Sequence, residues 1–191
     1  MKKPIINIFT IVLLSLFATN SFSQTVGGRK AFINIDYINN YSFGYAGDLT
    51  GPAAGFGWQN KKGNWHEATL LAIGASRGNF LTGLRYQYSV NVLKRSNSNI
   101  KPFIGLGAEE RFQYIKAERG PRDYKTFSNG ISAYVSPGVQ LNAKGGFYGS
   151  LQLPIDIFVL RNYSQPNQSS SYFNAFPFER LDLRIGFGYT F

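Results

Sequence analysis

The chain has no cysteine among its 191 residues, so no disulfide staples it and no thiolate is available for catalysis or metal binding. Histidine occurs once, at His66. One histidine without cysteine makes a transition-metal site a poor expectation, and no cofactor is expected. Acids are scarce: 10 Asp and Glu stand against 20 Lys and Arg, a formal charge of +10. No phosphate-binding loop, dinucleotide fingerprint or metal motif is present. Gly105–Gly107 is a lone GxG within an apolar alternation, and close packing accounts for it. No amphipathic helix is apparent. Beyond the first residues there is no further apolar run of helix length.

What is present at the N-terminus has three parts. Lys2 and Lys3 are a basic start, Ile5 to Phe17 is an apolar run, and Ser21 and Ser23 are small residues two apart. That is the layout of a secretory signal peptide, with cleavage expected after about Ser23. The run is shorter than the roughly 20 residues of a spanning helix. No cysteine follows it to carry a lipid. Residues 1–23 are therefore expected to be a signal peptide and 24–191 one domain. Without Lys2 and Lys3 the charge falls from +10 to +8. For an exported chain, anionic lipid head groups or surface sugars are the expected neighbours, ahead of nucleic acid.

The rest of the chain alternates apolar and polar residues with period two, eight times over. This predicts eight β-strands. One phase carries Ala31, Ile33, Ile35 and Tyr37; then Ala54, Phe56 and Trp58; Thr69, Leu71, Ile73 and Ala75; Phe80 through Val92 at even positions. It continues with Ile104, Leu106, Ala108, Phe112 and Tyr114; Ile131 through Leu141 at odd positions; Leu151 through Val159 at odd positions; and Leu181 through Phe191 at odd positions. The opposite phase is Gly, Ser, Gln and charge, except in the third segment, where both phases are apolar. Most segments reach the 9–11 residues of a tilted membrane strand. Connectors at 60–64, 94–101 and 142–146 are shorter than those at 39–52, 116–129 and 161–177.

Alternation does not say which phase faces out, since a soluble ligand-binding barrel shares the period. Aromatics near the strand ends do. Trp58, Trp65, Phe147, Tyr189 and Phe191 on the turn side, with Tyr37, Phe80, Phe112 and Tyr114 on the loop side, predict two interfacial girdles. The polar phase would make a poor apolar pocket. The reading is an all-β, eight-stranded, antiparallel, up-and-down transmembrane barrel.

The terminal alternating strand ending in Phe191 resembles the C-terminal signal of outer-membrane barrels. The segment SPGVQLNAKGGFYGSLQLPIDI, Ser136 to Ile157, resembles the penultimate hairpin of the outer-membrane β-barrel domain family. The whole mature chain resembles the small barrels of the OmpA transmembrane-domain and OmpX kind. The resemblance implies a bacterial outer-membrane location, with lipid, lipopolysaccharide and the barrel-assembly machinery as partners. It specifies architecture better than function.

Asp36, Arg85, Glu109, Arg111, Asp156, Asp182 and Arg184 fall on the inward phase near mid-strand. Eight strands leave an interior that side chains fill, so these charges are expected to pair as a plug. A charged constriction in a narrow pore is the alternative. His66 lacks an obvious serine partner for hydrolytic chemistry, and no enzyme is expected. Tyr41, Phe43, Tyr45, Tyr163, Tyr172, Phe173 and Phe176, with Lys116, Arg119, Arg122 and Lys125 against Glu118 and Asp123, would either pack in the loops or bind a surface partner. Glu67 and Glu110 fall on the lipid-facing phase. For Glu110 the alternatives are a bulge near 109–111 or a strand already clear of the bilayer.

Overall fold

The computed structural model describes residues 30–42, 49–74, 80–93, 99–119, 122–165, 168–175 and 180–191. The expected signal segment lies outside them. The elements are β1 (Ala31–Ser42), β2 (Leu49–Gln59), β3 (Trp65–Gly74), β4 (Phe80–Asn91), β5 (Ile100–Arg119), β6 (Arg122–Asn142), β7 (Phe147–Gln152), β8 (Ile155–Gln165), β9 (Gln168–Ala175) and β10 (Arg180–Thr190).

Every pairing is antiparallel, from β1–β2 round to β5–β6. β6 pairs with β7 and then with β8, so those two form one broken stave. β9 pairs with β8, and β10 pairs with β7, forming the next. β10 then pairs with β1, from Phe32↔Thr190 to Ser42↔Arg180, closing eight staves into a barrel. The break between β7 and β8 has a local cause. Pro137 faces this seam without an N–H to donate, and Leu153 N bonds to Pro137 O across it at 3.0 Å.

The two faces are sorted inside out relative to a soluble protein. Outward stand Leu70, Leu84, Leu106, Ile131, Leu151 and Phe187, the last 69 % exposed; inward and buried are Asn34, Asp36, Arg85, Gln87, Glu109, Gln152, Asp182 and Arg184. An apolar belt of this extent belongs in lipid, and closure leaves no edge strand inside it. The chain is a transmembrane β-barrel.

Aromatic contacts mark both rims. At the base, where both described chain ends lie, Trp58 stacks on His66 at 5.0 Å, Phe147 meets Tyr189 at 4.9 Å and Tyr189 meets Phe191 at 5.9 Å. At the opposite end, the crown, Phe80 stacks on Tyr114 at 5.6 Å and Phe112 lies 6.5 Å from Phe127, with Tyr37 exposed.

Two strand phases differ from the sequence reading. In β3, Thr69 and Leu71 are buried inside while Leu70 is 54 % exposed, so the whole strand is turned over. Glu67 therefore faces the lumen, not lipid, and Trp65 faces inward rather than joining the girdle. Both phases of β3 are apolar, so alternation had no contrast to read. In β8, Tyr134 pairs with Asp156 but Ala133 pairs with Phe158. The bulged residue is Ile157. Beyond it the phase reverses, so Val159 is buried inside and Phe158 and Leu160 face out.

Of the two alternatives for Glu110, the bulge near 109–111 is ruled out, because the β5 register runs unbroken on both sides. Glu110 faces outward and exposed, paired with Leu84 and Ile131 and two residues short of Phe112. Nothing in the structure explains a carboxylate there. The stretches expected as long loops are mostly ladder. β5 and β6 pair up to Arg119↔Arg122, and β8 and β9 up to Gln165↔Gln168.

Candidate functional site: the filled lumen

The lumen is packed in layers along the axis. At the base, Phe32 lies 6.1 Å from both Trp65 and Tyr148, and Trp65 lies 5.9 Å from Phe103. These four rings come from β1, β3, β5 and β7. Glycines on neighbouring strands make room for them. A Cβ on Gly57 would stand 2.2 Å from the Phe32 ring, one on Gly138 2.5 Å from Phe103, and one on Gly188 2.3 Å from Tyr148.

Above the rings is an amide and hydroxyl layer. Gln87 Nε2 donates to Ser89 Oγ at 2.8 Å and to Gln152 Oε1 at 3.0 Å, and Ser136 Oγ donates to the same Gln152 oxygen at 3.4 Å. Tyr134 follows, its ring 5.0 Å from the Arg85 guanidinium carbon, within cation–π range.

The charges form two groups. In the first, Arg85 and Arg111 share Glu109 and Asp182. Arg85 Nε donates to Glu109 at 2.5 Å and Arg85 Nη2 to Asp182 at 3.2 Å. Arg111 Nη2 donates to Asp182 at 2.5 Å, and Arg111 also pairs with Glu109. Two guanidinium groups thus meet two carboxylates. In the second, Arg184 alone pairs with both Asp36 and Glu67 and reaches Thr69 Oγ1 at 3.2 Å. Asn34 donates to Asp36 at 2.9 Å and to Glu67 at 3.1 Å, and Thr69 donates to Glu67 at 2.7 Å. The polar neighbours fill acceptor sites that the single arginine leaves open, as buried carboxylates require.

On the β1–β4 side of the crown the lumen is sealed by Ile38, Ala53, Leu71 and Leu81, all buried together. On the other side Arg111, Gln113, Ser128 and Arg161, together with Ile131 and Val159, surround a cavity of about 10 Å³.

All seven charges expected inside are buried. Six make the contacts above; Asp156 sits on β8, level with Tyr134. Of the expected interface aromatics, Tyr37, Trp58, Phe80, Tyr114, Phe147, Tyr189 and Phe191 lie at the rims, and Trp65 belongs to the basal ring cluster instead. Sequence reasoning missed Glu67 as a lumen residue, and missed the basal ring cluster and the apolar cluster of Ile38, Ala53, Leu71 and Leu81. The one trace of it in the sequence is slight: Glu67 and Thr69 share a phase, against His66 on the other. His66 faces outward, its Nδ1 2.8 Å from the Tyr86 hydroxyl. The side chains of Tyr41, Phe43, Tyr45, Lys116, Glu118, Arg119, Arg122, Asp123, Tyr163, Tyr172 and Phe176 lie outside the described residues.

No protein-family model and no curated protein sequence matches the chain. Among solved structures it is similar to the N-terminal β-barrel domain of Pseudomonas aeruginosa OprF, at 12% identity and a TM-score of 0.49 over 84% of this chain and 97% of that one. It is also similar to Neisserial surface protein A, at 11% identity and TM-score 0.46 over 85% and 96%. A major outer membrane protein from Thermus thermophilus aligns at 9% identity and TM-score 0.47 over 84% and 99%. These are distant likenesses of fold, and residue roles do not transfer through them.

Proposed function

We propose that the chain is a bacterial outer-membrane protein whose plugged barrel serves as a mount for surface contacts made by its crown. The observation that carries the reading is the length of the β5–β6 ladder. Above the Tyr114↔Phe127 pair at the girdle, five more pairs follow, ending at Arg119↔Arg122. At about 3.4 Å per residue this lifts the hairpin on the order of 17 Å along the strand. β6 pairs with β8 from Phe127↔Ser164 downward, and the β8–β9 hairpin reaches one pair beyond Ser164, to Gln165↔Gln168. Above the girdle the described pairing is that of β5 with β6. β9 carries exposed Ser169, Ser170, Ser171 and Phe173. Hydroxyls, an aromatic ring and strand backbone are suited to contact with a protein or sugar surface. Lipopolysaccharide phosphates are the nearest anions such a crown would meet.

The test compares bacteria displaying the full barrel with bacteria displaying one in which residues 116–125 are replaced by a two-residue turn. Both should fractionate with outer membranes and keep heat-modifiable gel mobility. The shortened form should lose adhesion to host-cell or matrix-coated surfaces. Equal adhesion by the two strains overturns the reading.

A further inference from the structure

Glu110 is the one charged side chain among the described residues that faces lipid between the two girdles. On β5 it stands exposed in the outward phase, between Ala108 and Phe112. Tyr114 of the crown girdle is four residues above it on the same strand. At about 3.4 Å per residue and a tilt of roughly 40°, the carboxylate lies on the order of 10 Å below that girdle, in the crown-side leaflet. It makes no hydrogen bond or ion pair among the described residues. An ionisable group at membrane depth without a partner is costly, and its presence marks a contact.

Neighbouring staves set other groups in a column with it. Pairing places Ala108 beside Ala133, and the larger Tyr86 and Phe158 flank these two alanines. The wall below Glu110 is therefore a furrow of two methyl groups between two rings, a bed for one acyl chain. Above Glu110, Phe112 pairs with Asn129 and Asn129 with Asn162, and both amides share the outward phase. Higher still, beyond the Phe127 ring, Lys125 is exposed. From crown to belt the order is ammonium, amides, carboxylate, furrow.

We propose that this column binds a phosphorylated glycolipid whose acyl chains carry a β-hydroxyl or an amide N–H near the head, the chemistry of lipid A. The phosphate meets Lys125, and the sugar with its amide links meets Asn129 and Asn162. A chain hydroxyl donates to Glu110, and the chain itself lies along Ala108 and Ala133. The donor at this depth identifies the ligand. An ordinary phospholipid has ester carbonyls there, which only accept and would face a carboxylate with nothing to give it. A divalent cation needs several oxygen ligands, and Glu110 is the only carboxylate on this face among the described residues. A second copy brings no cation, because no Lys or Arg of the described residues faces lipid between the girdles. The assignment rests on the crown facing outward, as the surface role does. Binding in micelles is read without adhesion, so either reading can fail alone.

The experiment titrates the refolded barrel in detergent micelles with lipid A, and with cardiolipin, which carries phosphates and several chains but neither β-hydroxyl nor amide. Binding is read as lipid retained in native mass spectra and as the rise in the temperature at which gel mobility shifts. Lipid A should be retained at about tenfold lower concentration than cardiolipin, the difference one charge-assisted hydrogen bond makes, and should raise the transition temperature. Glu110→Leu should fold, since it adds an apolar side chain to an apolar belt, and should bind the two lipids equally. Lys125→Ala should weaken both lipids alike. Equal binding of the two lipids by the native chain overturns the proposal, and so does a lipid A preference that survives Glu110→Leu. A pair of barrels in lipid-free micelles that Glu110→Leu separates assigns the face to protein and overturns it too.

Discussion

At the scale of single residues the barrel interior is organised by pairs of one large and one absent side chain. The polar phase of the strands is rich in glycine because the opposite wall is not. Gly107 lies beneath Tyr134, where a Cβ would stand 2.3 Å from the phenol ring. That ring in turn packs against Arg85. Gly107→Ala should therefore push Tyr134 off the guanidinium and destabilise the barrel by about 1–3 kcal/mol, the usual cost of overpacking. Gly149 is the control, since its nearest neighbour to an added Cβ is 3.8 Å away, and Gly149→Ala should be close to neutral. Urea unfolding of both variants, followed by gel mobility, checks the contrast; equal midpoints would show that Tyr134 yields freely. The Gly-rich phase was legible in the sequence as an inward face. Which aromatic each glycine accommodates depends on register across strands that are distant in sequence, and only the assembled barrel supplies that.

Among the elements, the sequence pattern served where the two phases differ chemically and failed where they do not. β1, β4, β6 and β10 have one polar and one apolar phase and face as expected. β3 offers Leu70 and Leu71 equally, and its orientation follows from burying Glu67 beside Arg184 on β10, a contact invisible to local reading. β8 begins in the expected phase and leaves it at Ile157; one bulged residue is enough to exchange the faces. The final element carries its own prediction. β10 closes the barrel against β1, and Phe191 completes the seam with two bonds to Ala31, N to O at 3.0 Å and O from N at 3.2 Å. Its ring adjoins Tyr189 at the basal girdle. Deleting Phe191 removes both bonds and the terminal aromatic, so membrane insertion should fall several-fold, as read by heat-modifiable protein in outer-membrane fractions. Phe191→Tyr keeps the backbone and a ring suited to the interface and should insert normally. Undiminished insertion of the deletion variant would show that the terminal residue contributes nothing to assembly.

For the whole molecule, the charge distribution and the packing lead to the same expectation about permeation. Inside the wall, each arginine of the two clusters touches two carboxylates, and the clusters lie between the basal rings and the apolar patch of Ile38, Ala53, Leu71 and Leu81. An ion crossing this interior has to displace guanidinium groups from their partners in a space already filled by side chains. Purified barrels in planar bilayers should therefore show no steady single-channel current. Arg85→Ala tests whether the packing is responsible. It removes the contacts to Glu109 and Asp182 and the support beneath Tyr134, and leaves Arg111 between two carboxylates. The expected cost is about 3–5 kcal/mol before water enters to relax it. The variant should unfold at lower temperature and pass brief, irregular currents through the opened space. A channel would behave in the opposite way. Its wild type would conduct steadily, and Arg85→Ala would alter the preference between cations and anions at unchanged thermal stability, because a residue lining an open pore sets the local field without holding the wall together. That pair of results would replace the sealed mount with a pore.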